Sequence, residues 1–540
     1  RPRHRPGMTA ALVPAAAQPF AGNVVGFSFL LSTVIWAPVI VAAAMAVIPD
    51  PRHRWGGHYR LAAFWAQMLV LLLTLAAYAQ YQTFSSTLQF EERGPWLPAL
   101  GSDYHLALDG VNMAMLLLSA IVGLVAVIAS GSIRERERTY FVLLLLGQSA
   151  IDGVVCAQDL MVMVLFWGAA LVPLALLLSG WGGAAGAAAG RRFLAYGLGG
   201  VAALWAAAVM LYEAGGGTTF DLPTLLLASP PMAAQVGIGF ALLVAAACWL
   251  PLFPLHGWVR DALAEAPPGV AVVMAGVAAR LGGYLLVRLL VGGEHEAARY
   301  MAPLIGGMGV ATALWGALGA VGSKDLRRMG AYASMVPSGV AALAISGLTP
   351  LSMDAAVLAL FAGGLAAALI NGACATIAER AQTRSFALLG GLGPRMPVLA
   401  WMLVLAGFAV VGVPGFATFT AELLALMGSL RSAPEAAFGL SVGLAAAGLA
   451  VAALLYRVMF GPPNPDAPAP RDASLAEVWY LGILAAALLW VGIIPSGPKL
   501  GGITVFDQGL VNVVNSSAAS IGAPYVPGAP AGPSLGTGAG

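Results

Sequence analysis

Residues 249–256 read Trp-Leu-Pro-Leu-Phe-Pro-Leu-His, and residues 412–422 read Gly-Val-Pro-Gly-Phe-Ala-Thr-Phe-Thr-Ala-Glu. Each stretch places proline inside a long apolar run. Proline removes a backbone donor and clashes with the preceding turn, so it breaks a helix. Inside a membrane such a break survives only where the freed backbone groups find partners or line a polar cavity. The sequence therefore predicts two broken transmembrane helices, with the breaks at Pro251, Pro254, Pro414 and Gly415.

The composition indicates a membrane protein. Hydrophobic residues make up 60% of the 540 residues and charged residues only 9%, which leaves too few polar side chains to cover a soluble domain. The formal net charge is only +2, and the arginines lie in short loops without interleaved aromatic residues, which argues against a nucleic-acid partner. The cysteines lack the spacing of a metal site or a disulfide framework, so we interpret them as packing residues: Cys156, Cys248 and Cys374.

Apolar runs long enough to cross the bilayer recur along the chain. A crossing needs about 20 residues, and such runs lie near 24–48, 61–80, 110–131, 139–157, 160–179, 193–212, 234–255, 269–291, 300–321, 328–348, 354–378, 396–429, 438–460 and 477–495. The predicted fold is therefore an all-α polytopic membrane protein with about 14 transmembrane helices. Residues 1–7 precede Met8 and are interpreted as an upstream, non-native extension. The tail from 522, rich in Gly, Pro and Ala, is predicted to be disordered.

Basic residues concentrate in alternate loops. Of 26 basic residues, those in one set of loops are Arg52, Arg54, Arg60, Arg134, Arg136, Arg138, Arg191, Arg192, Arg260, Lys324, Arg327, Arg328, Arg380, Arg384, Arg395, Arg457 and Arg471. The positive-inside rule places these loops in the cytoplasm, so both termini are predicted on the non-cytoplasmic side. Lysine is rare, since Lys324 and Lys499 are the only two, and both are predicted in loops.

The two broken helices suggest a repeat. Pro251 and Pro414 are 163 residues apart, and the broken spans are five spans apart in the predicted order, so the breaks approach the membrane from opposite sides. A five-helix unit repeated once must be inverted, and transporters place ion sites at broken helices of inverted repeats; a simple proline kink is the alternative. The predicted parts are an N-terminal segment (1–23), helices 1–3 (24–138), a first five-helix repeat (139–291), a second inverted repeat (300–460), a C-terminal helix region (461–495) and a tail (496–540).

Several motifs, spread over about residues 85–460, occur together in one family. They are Pro95-Trp-Leu-Pro-Ala-Leu-Gly-Ser-Asp-Tyr-His105-Leu-Ala-Leu-Asp109-Gly110, Leu165-Phe-Trp-Gly168 with Pro173, Gly180-Trp-Gly182, Pro251-Leu-Phe-Pro-Leu-His256-Gly-Trp258, Ala264-Glu-Ala-Pro267, Asp325-Leu-Arg-Arg328 with Ala331-Tyr332, and Gly412-Val-Pro-Gly415. In this order they resemble subunit M (chain 4) of proton-pumping NADH-quinone oxidoreductase. Subunits L and N, cation/proton antiporter subunits and membrane-bound hydrogenase subunits share the core.

The resemblance implies an antiporter-like membrane-arm subunit that contributes to proton translocation coupled to quinone reduction, in a bacterial inner membrane. It implies other antiporter-like subunits and peripheral subunits as partners, with NADH, FMN, iron–sulfur clusters and quinone in those partners. The sequence carries no nucleotide, flavin or iron–sulfur motif, so no catalytic, cofactor or metal site is predicted in this chain. Two alternatives stay open: a cation/proton antiporter or membrane-bound hydrogenase subunit, and a degenerate structural subunit that conducts no proton.

Most of the family's proton relay is missing at the matching positions. The resemblance implies a glutamate in the fifth helix, lysines in the seventh and eighth, histidines in the tenth and eleventh, and a glutamate or lysine in the broken twelfth. The eighth-helix lysine matches Arg280, which holds its proton too firmly for an ordinary donor and is interpreted as a fixed charge. The twelfth-helix carboxylate is kept as Glu422. The lost positions are Gly168, Trp249, Pro337 and Gly363.

Four residues are candidates for a proton path: Glu422, Arg280, Asp152 and His256. Glu422 is predicted to be the terminal proton site that exchanges with the non-cytoplasmic side. A mid-membrane arginine costs about 2.5–3.5 kcal/mol unless it is paired or hydrated, so we expect a carboxylate, an anion or water beside Arg280. Tyr284 and Arg288 share its helix face, and Arg288 is interpreted as snorkelling to the membrane surface.

Two of these candidates have alternative interpretations. Asp152 either replaces the carboxylate that is missing at residue 168 or lies among hydrated head groups at the end of its span. His256 either accepts a proton or caps the broken seventh helix.

Overall fold

The computed structural model describes residues 29–48, 57–81, 88–228, 230–293, 295–462 and 471–494, together with the strand residues 499–500 and 503–504. Its α-helices are α1 Leu30–Val47, α2 His58–Gln80, α3 Gly110–Ala129, α4 Glu137–Cys156, α5 Leu160–Trp181, α6 Gly186–Ala214, α7 Leu222–Leu225, α8 Met232–Trp249, α9 Val259–Glu265, α10 Pro268–Gly276, α11 Leu281–Leu285, α12 His295–Gly322, α13 Leu326–Ala333, α14 Val336–Ser346, α15 Pro350–Ala381, α16 Pro397–Val410, α17 Ala417–Ser429, α18 Pro434–Leu455 and α19 Leu475–Ile493. The extension at 1–7 and the tail from 522, both subjects of predictions, lie outside the described residues.

Thirteen helical segments of the described residues are long and apolar enough to cross a membrane. The run predicted at 396–429 consists of two shorter helices, α16 and α17. These segments confirm the all-α polytopic class. The division into two inverted repeats, at 139–291 and 300–460, stays a prediction.

The helices at the centre of the bundle are rich in small residues. The segment that includes α10 and α11, and the helix α15, are almost entirely buried, whereas α18 and α19 expose much of their apolar surface. Glycine and alanine let helix backbones approach closely, which is the main source of helix association in lipid. Large apolar side chains then face outward on the peripheral helices, as Leu449 does with 70% exposure.

Both proline-containing stretches interrupt their helices. In the first, α8 ends at Trp249 and α9 begins at Val259. In the second, α16 ends at Val410 and α17 begins at Ala417. The eighth membrane segment is irregular as well, because a 3₁₀ turn at Ala278–Arg280 and a π-helical turn at Leu286–Val291 flank α11.

The sequence did not predict the antiparallel hairpin between α2 and α3, formed by β1 Gln89–Leu97 and β2 Ser102–Leu108. Glu92 on β1 accepts hydrogen bonds from the Leu31 and Ser32 amides, at 2.6 and 3.0 Å, and so caps α1. Ser102 donates to Asp159, the N-cap of α5, over 2.9 Å. The hairpin therefore fastens the starts of two transmembrane helices.

A second short strand pair, β3 Lys499–Leu500 and β4 Ile503–Thr504, follows α19. Lys499 lies in a strand here, so its predicted loop position was wrong. Lys324 does lie in a loop, between α12 and α13.

Candidate functional site

Glu422 lies on α17, six residues after the second helix break, and is 8% exposed. Gly412, within the break, has a φ of +62°, a conformation that favours glycine. A Cβ atom at Gly412 would overlap the carboxylate of Glu422. The bare backbone of the break therefore lies directly against this carboxylate, as freed backbone groups around a buried polar side chain require.

A small cavity, about 10 Å³ in volume, lies beside Glu422. This size is close to the lower limit for one water molecule. Pro337, Gly363, Thr418 and Glu422 are among its lining residues. A Cβ atom at Gly363 would lie 2.7 Å from the Pro337 Cβ, so these two residues face each other. The structure therefore brings both histidine-matching positions to the retained carboxylate.

Aromatic side chains fill the corresponding place at the first helix break. Trp249, the last residue of α8, packs edge-to-face against Trp167 of α5 with ring centroids 5.6 Å apart. The ring centroid of Phe193 in α6 lies 5.9 Å from that of Trp249 and 5.1 Å from that of Trp258. All four rings are at most 2% exposed. None of them can carry a proton between buried sites, so this region offers no relay.

Gly168 is the other position at which the family's relay is lost in the first half. It lies beside Trp167 in α5, and a Cβ atom there would have Val201 Cγ1, at 4.0 Å, as its nearest neighbour. A Cβ atom at Gly200, in contrast, would lie 3.0 Å from Trp249 Cδ1. Trp249 thus packs on the bare backbone of α6, while residue 168 retains room for a side chain.

Arg280 is completely buried, at the end of the 3₁₀ turn. Its guanidinium donates to Ser338 Oγ at 2.8 Å, to the Ser334 carbonyl at 3.1 Å and to the Ala275 carbonyl at 3.5 Å. No carboxylate of the described residues forms an ion pair with it. Its partners among the described residues are a hydroxyl and two carbonyls, Nε has no partner among them, and an anion or water beside Arg280 stays a prediction.

Tyr284 and Arg288, predicted on the same helix face as Arg280, contact different partners. The Tyr284 hydroxyl donates to the Val155 carbonyl over 3.0 Å. Arg288 is 7% exposed, forms an ion pair with Asp109 and donates to Gln158. The prediction that Arg288 snorkels was wrong, because Asp109 at the start of α3 compensates its charge within the protein.

Asp152 is completely buried in α4, one turn before the helix ends. Ser119 of α3 donates a hydrogen bond to its carboxylate. Complete burial excludes the hydrated head-group position for this residue. Its surroundings belong to α2, α3 and α4, away from both helix breaks.

His256 lies in the first helix break, between the rings of Phe253 and Trp315, at centroid distances of 5.5 and 5.6 Å. Its side chain does not cap α9, whose N-cap is Trp258. The ring atom Nδ1 is buried and has no hydrogen-bond partner among the described residues. The predicted capping role is therefore wrong, and the role as a proton acceptor stays a prediction.

Comparison with known proteins places this arrangement in a family. Residues 157–448, more than half of the chain, match the family model for the transmembrane part of NADH:quinone oxidoreductase/Mrp antiporter proteins. The chain belongs to this family. The NAD(P)H-quinone oxidoreductase chain 4 1 of Synechococcus sp. (strain JA-2-3B'a(2-13)) is 32% identical over 470 residues, covering 84% of this chain and 88% of the relative.

Two solved structures show that the fold is shared across the family. A chain of respiratory complex I from Thermus thermophilus with bound NADH is similar with a TM-score of 0.80, at 24% identity, over 91% of this chain and 100% of that one. A chain of the Mrp complex from Dietzia sp. DQ12-45-1b is similar with a TM-score of 0.77, at 20% identity, over 92% and 99%. The likeness at these identities concerns the fold alone.

As a member of this family, the chain keeps the carboxylate at one end of the implied relay and loses the titratable groups around it. Glu422, Pro337 and Gly363 meet at one cavity, and Arg280 reaches the residue next to Pro337 through Ser338. Asp152 is not part of that group. The sequence missed Ser338 and Thr418, because nothing in the local pattern distinguishes a serine or threonine that lines a buried site.

The described residues contain no group of three His, Cys, Asp or Glu side chains that could hold a metal ion. The candidate site consists of the Glu422 carboxylate, the Thr418 hydroxyl and the backbone of the helix break.

Proposed function

We propose that this chain is an antiporter-like membrane-arm subunit of an NADH-quinone oxidoreductase and contributes to proton translocation coupled to quinone reduction. The identity to a chain 4 relative extends over 88% of that relative. The observation that carries the proton-translocating role is Glu422, a buried carboxylate that lines a cavity at a broken helix. The 32% identity to the chain 4 relative, which is named as an oxidoreductase chain, favours the oxidoreductase over a cation/proton antiporter.

The proposal includes the chain's surroundings. The partners are other antiporter-like subunits and peripheral subunits, and NADH, FMN, iron–sulfur clusters and quinone belong to those partners. The many apolar helices make this an integral membrane protein. A bacterial inner membrane, with both termini on the non-cytoplasmic side, follows from the resemblance and from the distribution of arginines.

Glu422 would hold and release the proton. A buried carboxylate is stable when protonated, and a water molecule or a nearby charge shifts the balance toward the ionised form. The break before α17 supplies backbone groups that can bind water beside it. Arg280 keeps its charge throughout and stays hydrogen-bonded to Ser338 and Ser334, so it acts as a fixed positive charge.

A second candidate function is that of a structural subunit that conducts no proton. The packing of Trp167, Phe193 and Trp249 favours it, because these rings surround the position of the family's seventh-helix lysine. The number of protons translocated per electron in the whole complex distinguishes the two functions.

The test replaces Glu422 by Gln in the intact complex, with Glu435→Gln as the matched control. Glu435 is an exposed carboxylate in the first turn of α18. Glu422→Gln keeps the shape of the side chain and removes its titration, so proton uptake per NADH oxidised should fall while assembly survives. Normal pumping in Glu422→Gln, equal to that of the control, would reject the role of Glu422 and favour the structural subunit.

A further inference from the structure

A second group of buried polar side chains lies where α2, α3 and α4 pack together, away from both helix breaks. Its members are Gln67, Ser119, Gln148 and Asp152, and each residue is at most 1% exposed. Gln67 and Ser119 lie near the middle of their helices. At this depth lipid offers no hydrogen bonds, so each polar atom must find a partner inside the protein.

The protein satisfies only part of this group. Ser119 donates to Asp152 Oδ1, and Gln148 Nε2 donates to the Ser119 carbonyl at 2.9 Å and to its hydroxyl at 2.6 Å. Four atoms of the group have no hydrogen-bond partner among the described residues: Gln67 Nε2, Gln67 Oε1, Gln148 Oε1 and Asp152 Oδ2. A buried polar group that is left without a hydrogen-bond partner destabilises the folded protein. Four of them together indicate that the group binds a ligand.

The two amides pack directly against Gly123 of α3. A Cβ atom there would lie 2.7 Å from Gln67 Oε1 and 3.0 Å from Gln148 Cδ. Both side chains therefore converge on the bare backbone of α3. An alanine at this position would displace the Gln67 and Gln148 side chains and so change the geometry of the group.

The unpaired atoms define the chemistry of the ligand. They include a donor, the Gln67 NH₂ group, as well as carbonyl and carboxylate acceptors. A bare metal cation would satisfy only the acceptors, whereas water both donates and accepts. We propose that Gln67, Ser119, Gln148 and Asp152 form a hydrated proton-binding site, in which Asp152 holds the proton. This inference rests on the proposed function, and it supplies the N-terminal half with the titratable carboxylate that residue 168 lacks.

Further polar groups connect this site to one end of the helices. One turn beyond Asp152, the Val155 carbonyl accepts the hydrogen bond from Tyr284. One turn beyond Tyr284, Arg288 binds Asp109 and Gln158 at the helix ends beside the hairpin. This order places polar groups between Asp152 and the hairpin side of the membrane.

Infrared difference spectroscopy on the intact complex in lipid vesicles tests the site directly. We expect a carboxyl C=O band that responds to pH and is lost in Asp152→Asn. Ser149→Ala is the matched control, because Ser149 is an equally buried polar residue of α4 that donates to the Ile35 carbonyl outside the group. The control should keep the band. Gly123→Ala should shift it, because the methyl group displaces the Gln148 side chain, which binds the same Ser119 hydroxyl that donates to Asp152.

Three results would overturn the inference: a wild-type carboxyl band that survives in Asp152→Asn, a band unchanged in Gly123→Ala, or a band that responds to Na⁺ and not to pH. The last would identify a cation site. If Asp152→Asn does not assemble, Gly123→Ala and Gln67→Leu carry the same test. Wild-type vesicles that oxidise NADH without proton uptake would reject the proposed function, yet the pH response of the band would still decide on the site.

Discussion

Trp249 and Trp167 pack edge-to-face with ring centroids 5.6 Å apart, and Trp249 lies at the position of the family's seventh-helix lysine. Residue 168, at the position of the fifth-helix glutamate, retains room for a side chain, because a Cβ atom there would have Val201 Cγ1, at 4.0 Å, as its nearest neighbour. The first half of the chain therefore differs from its family by packing as well as by the loss of titratable groups.

Restoring the family's glutamate at position 168 and its lysine at position 249 should succeed only when both are introduced together. Trp249→Lys alone buries an uncompensated ammonium, at a cost of about 2.5–3.5 kcal/mol on insertion scales, and should reduce the amount of assembled complex. Adding Gly168→Glu gives the lysine a counter-charge and should recover assembly. Native gel electrophoresis of membranes from the two single variants and the double variant measures this. Equal losses in Trp249→Lys and the double variant would show that the two positions do not interact.

Arg280 should tolerate lysine better than leucine. Arg280→Leu leaves the Ser338 hydroxyl and the Ser334 carbonyl without their donor, at about 1–3 kcal/mol for each group, but it also removes a buried charge, so the complex should still assemble. Proton uptake per NADH oxidised should fall in Arg280→Leu, because the fixed charge beside the Glu422 cavity is lost, and should persist in Arg280→Lys. Unchanged uptake in the leucine variant would make Arg280 a purely structural residue.

The ion pair between Arg288 and Asp109 should show strong coupling. Asp109→Asn keeps the cap of α3, since asparagine caps helices as well as aspartate does, but it leaves Arg288 buried without its counter-charge. Breaking such a pair costs about 3–5 kcal/mol, whereas replacing both partners by neutral residues is much milder. We therefore expect a large loss of thermal stability in Asp109→Asn and a partial recovery with Arg288→Met added. Additive losses would contradict the pairing.

The hairpin should loosen in acid. Burial acts to raise the pKa of Asp221, but hydrogen bonds from His105 and Thr224 and the charge of Arg93 hold this pKa at about 2, below its ordinary value of 3.8. The ionised form is therefore favoured in the folded state, and its stabilisation, at most about 2 kcal/mol, is present above pH 4 and is lost between about pH 4 and pH 2.

Hydrogen exchange reports this loss. The Phe220 amide, which donates to the Gly101 carbonyl of the hairpin, should exchange faster as the pH falls through this window, after correction for intrinsic rates. Asp221→Asn should exchange faster at neutral pH and show no further acid response. Protection in the wild type that stays constant down to pH 2 would contradict this account.

The sequence predicted the membrane class and the two helix breaks because these depend on local signals. About 20 apolar residues identify a crossing, and Pro251 and Pro414 mark breaks by their own chemistry. The hairpin was missed because Gly94, Pro95 and Pro98 obscure the alternation that a strand requires.

The contacts of the buried polar residues could not be predicted in the same way. Arg280 donates hydrogen bonds to Ser338 and to two carbonyls at irregular points of the helices, and the sequence pattern identified none of these three partners. Gln67 and Gln148 are 81 positions apart in the sequence and meet only because α2 and α4 both pack on Gly123. Such contacts depend on helix rotation, which hydrophobic length does not determine.

The hairpin also implies an order of events during synthesis. The amides at the start of α1 stay uncapped until Glu92, 61 residues after Leu31, has been synthesised. Ser102 can donate its hydrogen bond only after Asp159, 57 residues later, has been synthesised. The first helix, α1, is therefore synthesised before Glu92, which caps it. The hairpin must then reach the side of the membrane where the N-terminal end of α1 lies before this end is capped. Each of these two contacts can form only after the later residue has been synthesised. The contacts of the hairpin are therefore complete only when the helices that follow α1 have been inserted.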